Sequence, residues 1–412
     1  MERTPIFTRY WDYIKSTYNI DNWMTYIGDD RIAPQYPSAT AARSALIMTS
    51  CQMSSLNEWE QTKLLPAWKK HVGLQKMPSA DTIGTIATKM RCDDIRTVIK
   101  SVYTKLKRNK ALKSGFHENL FFLVVDGHEC CNSYLRSCED CLQREITTSK
   151  GIKIQYYHRY ALGMLISMDG ICIPLDVEMQ QSGEDEVASS VRLIERLCTM
   201  YPRAFDVVLA DGLYARAPFF KTVTSFGKEV IAVLKDDRRD LIKEVRNRCK
   251  NMAPQQSTRS DGVTAVQSWD LEGCNDWTQL GMPVRVLRTL ETSSVCRQAT
   301  AITEKSTSEW LWVTTISIKQ LQTMQFIEVA HHRWDIENKG FNELDTYWHL
   351  NHIYKHDSNA IVVFTLFTML SYLLFHTFLH LNIKKVVRSR YTKKHINLKI
   401  KAQFYSDQIP EG

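Results

Sequence analysis

Two apolar runs in this chain end in the same dipeptide: FFLVV leads into Asp126-Gly127, and FDVVLA into Asp211-Gly212. Short β-branched and aromatic runs without a polar break are strands buried on both faces, which requires a sheet covered by helices. In such sheets, sites form beyond the carboxyl ends of the strands. One Asp-Gly at a strand end is ordinary turn chemistry. Two acids at equivalent places point instead to a shared site in an α/β fold.

The surrounding pattern supports that class. Residues 1–115 carry apolar positions at helical spacing, in TAARSALIMTSCQMSSLNEWEQTKLL and DDIRTVIKSVYTKLKRNKAL, with Ser79 and Asp81 placed to start a helix. From residue 116 to 252 the order reads βββαβαβ: FFLVVD, YYHRYALGMLISM and ICIPLDVEM, a helix led by Glu184, Asp185 and Glu186, the strand FDVVLAD, a helix over Ala217 to Ser225, and the strand KEVIAVLK. Residues 253–318 break into short alternating segments expected to form a small antiparallel sheet, and helical patterning resumes over 319–382. Residues 383–412 read as a basic tail, with eight Lys or Arg and no acid from Lys384 to Lys401.

Two strand-end acids suit hard divalent cations. Phosphoryl transfer needs oxygen ligands, and a pair of ions can activate a nucleophile and stabilise a leaving oxygen. The best third carboxylate is Glu337 in HHRWDIENKGFNEL, because Arg333 one helical turn earlier shares its face and can grip a phosphate. Asp335 and Glu343 are the competing acids, and Asp335 points away from that face.

With VVDG, VVLADGLYARAPFF and RWDIEN, the chain resembles the DDE insertion-sequence transposases, in the type-four branch that carries a β-rich insertion between its second and third acids. The likeness runs from about Asn119 to Leu381. It implies a ribonuclease-H-like catalytic core with an N-terminal helical, DNA-binding domain. It also implies that Asp126, Asp211 and Glu337 hold two Mg²⁺ or Mn²⁺ ions, and that the enzyme cuts and rejoins the ends of a mobile element in double-stranded DNA. A homodimer on DNA and a cytoplasmic, nucleoid-associated location follow from the same likeness. Arg333, Lys235 and Lys339 are the expected DNA contacts. In the family signature a Tyr and a Lys flank the Arg and Glu, whereas this chain has Ala330 and Leu344 there, leaving His331, Lys339 or Tyr347 to supply those contacts. A nuclease that hydrolyses without joining and a non-catalytic DNA-binding protein are the alternatives.

A second metal is expected elsewhere. Cys138 and Cys141 have the CxxC spacing with which two thiolates share a zinc ion, and His128 and His158 are the expected partners in a structural site. Eleven cysteines, an odd number, and no apolar leader in MERTPIFTRYWDYIK point to a reducing compartment. Residues 359–381 are long and apolar enough to span a bilayer, but Asn359, His376 and His380 favour a buried core helix and no membrane partner. The net charge of +8 is compatible with a polyanionic partner without requiring one. The basic run Arg238 to Arg248 suits phosphates or a solvated helix face equally, and Trp310 and Trp312 read as core.

Overall fold

The computed structural model describes residues 5–74, 76–112, 120–166, 172–235, 239–297, 302–335 and 340–406. Seven helices come first: α1 (Ile6–Tyr18), α2 (Ile20–Tyr26), α3 (Ser38–Ser50), α4 (Leu56–Thr62), α5 (Pro66–Val72), α6 (Ala80–Ala87) and α7 (Cys92–Arg108). Ser79 caps α6 by accepting the Thr82 N–H, the start that the sequence marks.

Four strands follow: β1 (Phe122–Ser133), β2 (Leu142–Thr148), β3 (Gly151–Ile166) and β4 (Cys172–Met179). Helix α8 (Glu186–Met200) is capped by Asp185 and leads to β5 (Val207–Ala210), α9 (Ala217–Ser225) and β6 (Glu229–Val233). Strand β2 was not expected. Its polar and apolar residues alternate in LQREITT, so only one face is half-buried, and it pairs along the outer edge of β3.

Next come α10 (Asp240–Lys250), β7 (Gln255–Thr258), β8 (Ala265–Cys274), β9 (Val284–Arg297) and β10 (Ile302–Thr314). The last four strands are antiparallel, as read from the sequence, but they do not stand apart as a small sheet. Trp312, Val313 and Thr314 of β10 pair with β6, so the insertion prolongs the central sheet. The result is one ten-stranded sheet in the order β2-β3-β1-β5-β6-β10-β9-β8-β7, with β4 also on β3. Its middle, β1-β5-β6, is parallel and buried on both faces, as the unbroken apolar runs require.

The chain closes with α11 (Thr323–Asp335), α12 (Asn342–Trp348), α13 (Ser358–Asn382), α14 (Lys385–Arg390) and α15 (Lys393–Ser406). Helix α13 is the long apolar segment; it is enclosed by α3, α7, α1, α6 and β4, and nearly every residue is buried. The basic stretch forms α14 and α15, and α15 docks on α1, where Phe404 packs on Phe7 and Trp68.

A buried ion network ties the helical front to this sheet. Asp176 on β4, fully buried, accepts from Arg96 of α7 at 2.8 Å and Arg196 of α8 at 2.5 Å. Both guanidiniums also reach the Val177 carbonyl, so the charges are compensated and hydrogen-bonded.

Candidate active site

The parallel ladder between β1 and β5 pairs Phe122 with Val207, Leu123 with Val208 and Val124 with Leu209. Two residues further in the same register, Asp126 lies opposite Asp211. Neighbouring strands run about 4.8 Å apart, so the two acids stand side by side, although only Asp211 is at a strand end: β1 runs on past Asp126 to Ser133, paired with β3. Asp211 directly follows β5 and accepts the Leu213 N–H at 2.8 Å, capping a single 3-10 turn, while Asp126 accepts the Gly127 N–H at 3.0 Å. The turn chemistry and the convergence of the acids therefore coexist.

Burial pushes the Asp126 carboxyl up from 3.8 to about 6; the Arg333 guanidinium opposes the rise, the charge of Asp211 adds to it, and Glu186 adds further. Three acids and one arginine thus share a small volume. Arg333 is buried in the last turn of α11, which packs against β5. Glu337 and Lys339 follow that helix directly and lie outside the described residues.

Glu186 is the acid that the sequence reading passed over. It was one of three acids at the start of α8, a pattern fully explained by the helix dipole. In the fold its carboxyl lies over Gly127, where a Cβ would come within 2.2 Å of it, and it accepts the Tyr214 hydroxyl at 2.6 Å. Gly127 is therefore the residue that admits Glu186 beside Asp126.

His128, two residues past Asp126, shares its strand face. Its ring stacks on Phe341 at 5.7 Å, and its Nε2 meets Asp345 at 3.2 Å and also Asn351. Burial alone would lower the ring's pKa, but the Asp345 and Asn351 contacts more than offset this and raise it. Phe341 and Asp345 are thus fastened to β1 through His128, and Arg333 acts on Asp126.

Lys235 is exposed just past β6, its stem 3.4 Å from where a Gly212 Cβ would stand. Of the basic run, Lys243 pairs with Asp240, Arg248 with Glu244 and Arg246 with Glu309 of β10. Arg238 lies outside the described residues. Ala330 and Leu344 are core residues, so neither presents a group to solvent. His331 is committed inward, bonding Glu291 of β9 at 2.8 Å with its ring edge-on to Trp310 and Trp312. Tyr347 is exposed, and with Lys393 and Lys394 it lines an open cleft of about 600 Å³.

The cysteine pair is part of a second cluster, and here one expectation is corrected. Cys138 Sγ lies 3.5 Å from Cys141 Sγ and 3.2 Å from His158 Nε2; Cys141 Sγ lies 3.3 Å from His158 Nε2 and 3.2 Å from His356 Nε2. The fourth member is His356, before α13, and not His128, whose ring is held by Asp345 and Phe341. Burial lowers the His158 pKa to about 4, with His356 adding to the effect, so the ring is neutral near pH 7.

Residues 151–374 match the family model described as a transposase DDE domain, a span that includes Asp211 and Glu337 and starts at β3, after Asp126. No curated protein matches the chain.

Proposed function

The chain belongs to the transposase DDE-domain family, more than half of its length falling within the family model, and from that premise we propose that it cleaves the ends of a mobile DNA element and joins them to target DNA. The observation that carries this reading is the register that sets Asp126 opposite Asp211 with Arg333 beside them. The strand order β4-β3-β1-β5-β6, with Asp126 on β1 and Asp211 just past β5, supports a ribonuclease-H-like core.

Asp126, Asp211 and Glu337 would hold Mg²⁺ or Mn²⁺, hard-oxygen ligands for hard ions; burial is the main cause of the raised Asp126 pKa, and a cation would relieve both that and the smaller contribution from neighbouring acids. Two such ions supply an activated water or 3′-hydroxyl and stabilise the departing oxygen. The protein's own groups do the rest. Arg333 offers a fixed, buried positive charge to the scissile phosphate, while Tyr214 holds the Glu186 carboxyl in place over Gly127. Lys235 and Lys339 contact backbone phosphates, fixing position and not sequence.

The helices of the first 115 residues supply a further DNA-binding surface, for which the end of α7 exposes Lys105, Lys107, Arg108 and Lys110. Exposed bases of α14 and α15 extend the same role, and two copies act together on paired ends in the cytoplasm. A second reading, hydrolysis without joining, draws on Ala330 and Leu344, which bring no polar group to a strand end. A labelled element end incubated with target plasmid and Mn²⁺ separates the two. Label covalently joined to plasmid is the expected product; nicked ends without joined product would replace the transposase reading with the nuclease one.

A further inference from the structure

We propose that Cys138, Cys141, His158 and His356 bind one Zn²⁺ as a closed structural site, and that this ion clamps the loop before α13 onto the strands beside Asp126. The donor atoms of these four residues all lie within 4.8 Å of one another. Zinc bonds of about 2.3 Å to sulfur and about 2.0 Å to nitrogen give tetrahedron edges of about 3.3 to 3.8 Å. Four of the six separations, at 3.2 to 3.5 Å, fall at the short end of that range or just below it. The two sulfurs are too far apart for a disulfide, whose bond is about 2.05 Å.

The donor set also selects the ion. Two thiolates with two imidazoles suit zinc and are poor ligands for Mg²⁺, so this centre and the carboxylates do not compete for the same metal. Four protein ligands leave no open position, which marks a structural ion rather than a catalytic one. The surroundings are built accordingly. The Cys138 N–H donates to Cys141 Sγ at 3.2 Å, and Asp140 between the two cysteines accepts the Ser358 hydroxyl at 2.6 Å.

The span of the clamp gives it a role. Cys138 and Cys141 lie in the turn from β1 to β2, His158 on β3, and His356 is 215 residues beyond Cys141. His356 ends the stretch that starts after Glu337 and is already tied to β1 through Asp345 and His128. Zinc would thus fix the far end of the segment bearing the third carboxylate. The positioning role rests on the DDE reading; the metal site does not.

Metal content of the purified full-length chain, read by mass spectrometry without DNA, tests the site directly. One Zn²⁺ per chain is expected in the wild type, with none in Cys141→Ser or His356→Asn and one retained in His128→Asn. A wild type that holds no zinc after incubation with Zn²⁺, or that holds iron, overturns the proposal; so does His356→Asn retaining zinc while His128→Asn loses it. Co²⁺ exchanged into the wild type should give the intense visible bands of a tetrahedral thiolate site, and weak octahedral bands would refute it even if the variants misfold. Hydrogen exchange over residues 349–357 should rise on zinc removal; unchanged protection would refute the clamp.

Discussion

Replacing Asp126 by Asn should make the metal-free protein more stable while removing its activity. The Asp126 pKa stands at about 6 when folded, against 3.8 for an unperturbed carboxyl. Between those values the folded state binds the proton more tightly than the unfolded state, so stability falls as pH rises. That interval corresponds to about 3 kcal/mol at pH 7 and above. Asparagine mimics the protonated form and escapes the loss. The variant and the wild type should therefore unfold together near pH 4, separate as pH rises to about 6.5, and stay separated above it. For a chain of this length about 3 kcal/mol corresponds to a shift of about 3 °C in the unfolding midpoint. Thermal unfolding in EDTA, followed by circular dichroism from pH 4 to 8, measures it. Adding Mn²⁺ at neutral pH should raise the wild type, by about 2.7 kcal/mol at a hundredfold excess over its Kd, and leave the variant unmoved. A gap that stays constant with pH would refute the burial and neighbouring charge that raise the Asp126 pKa, and equal Mn²⁺ stabilisation of both proteins would refute Asp126 as a metal ligand.

Gly127→Ala should push the Glu186 carboxyl from its seat and leave the Tyr214 hydroxyl without that acceptor, costing on the order of 1 kcal/mol in urea unfolding; an unchanged midpoint would place Glu186 elsewhere. Asp176→Ala strips a buried anion from Arg96 and Arg196 and should cost about 3 to 5 kcal/mol, read by the same unfolding curves, whereas a loss below about 1 kcal/mol would mean that solvent already screens the network. Restoring the signature lysine by Leu344→Lys should destabilise the protein by several kcal/mol without raising strand transfer, because position 344 is fully buried. Better joining with undiminished stability would show that α12 turns this position outward.

What the sequence revealed and what it hid follow from the range of the forces involved. FFLVVDG and FDVVLADG carry both strand and acid in one local pattern, but only Asp211 stands at a strand end, because β1 runs on past Asp126 to Ser133 along β3. The partners of those acids are not local. Glu186 looks like any acid at a helix start, and only the approach of α8 to Gly127 makes it part of the site. His356 joins Cys141 across 215 residues, and no spacing rule reaches so far, whereas His128 was close in sequence and was drawn into the wrong cluster. Strand β2 escaped because a half-exposed edge strand needs little apolar residue content. The insertion's attachment to β6 rests on three residue pairs of β10, which alternation along that strand does not distinguish from the rest.

The central claim is that Asp126 and Asp211 share one cation site with Glu337. Diffraction from crystals soaked in Mn²⁺, recorded where manganese scatters anomalously, tests it most directly. The expected result is an anomalous peak bridging the Asp126 and Asp211 carboxylates with Glu337 as a third ligand, absent in Asp211→Asn. A peak bound elsewhere, or none between the two aspartates in protein that cuts DNA, would contradict it.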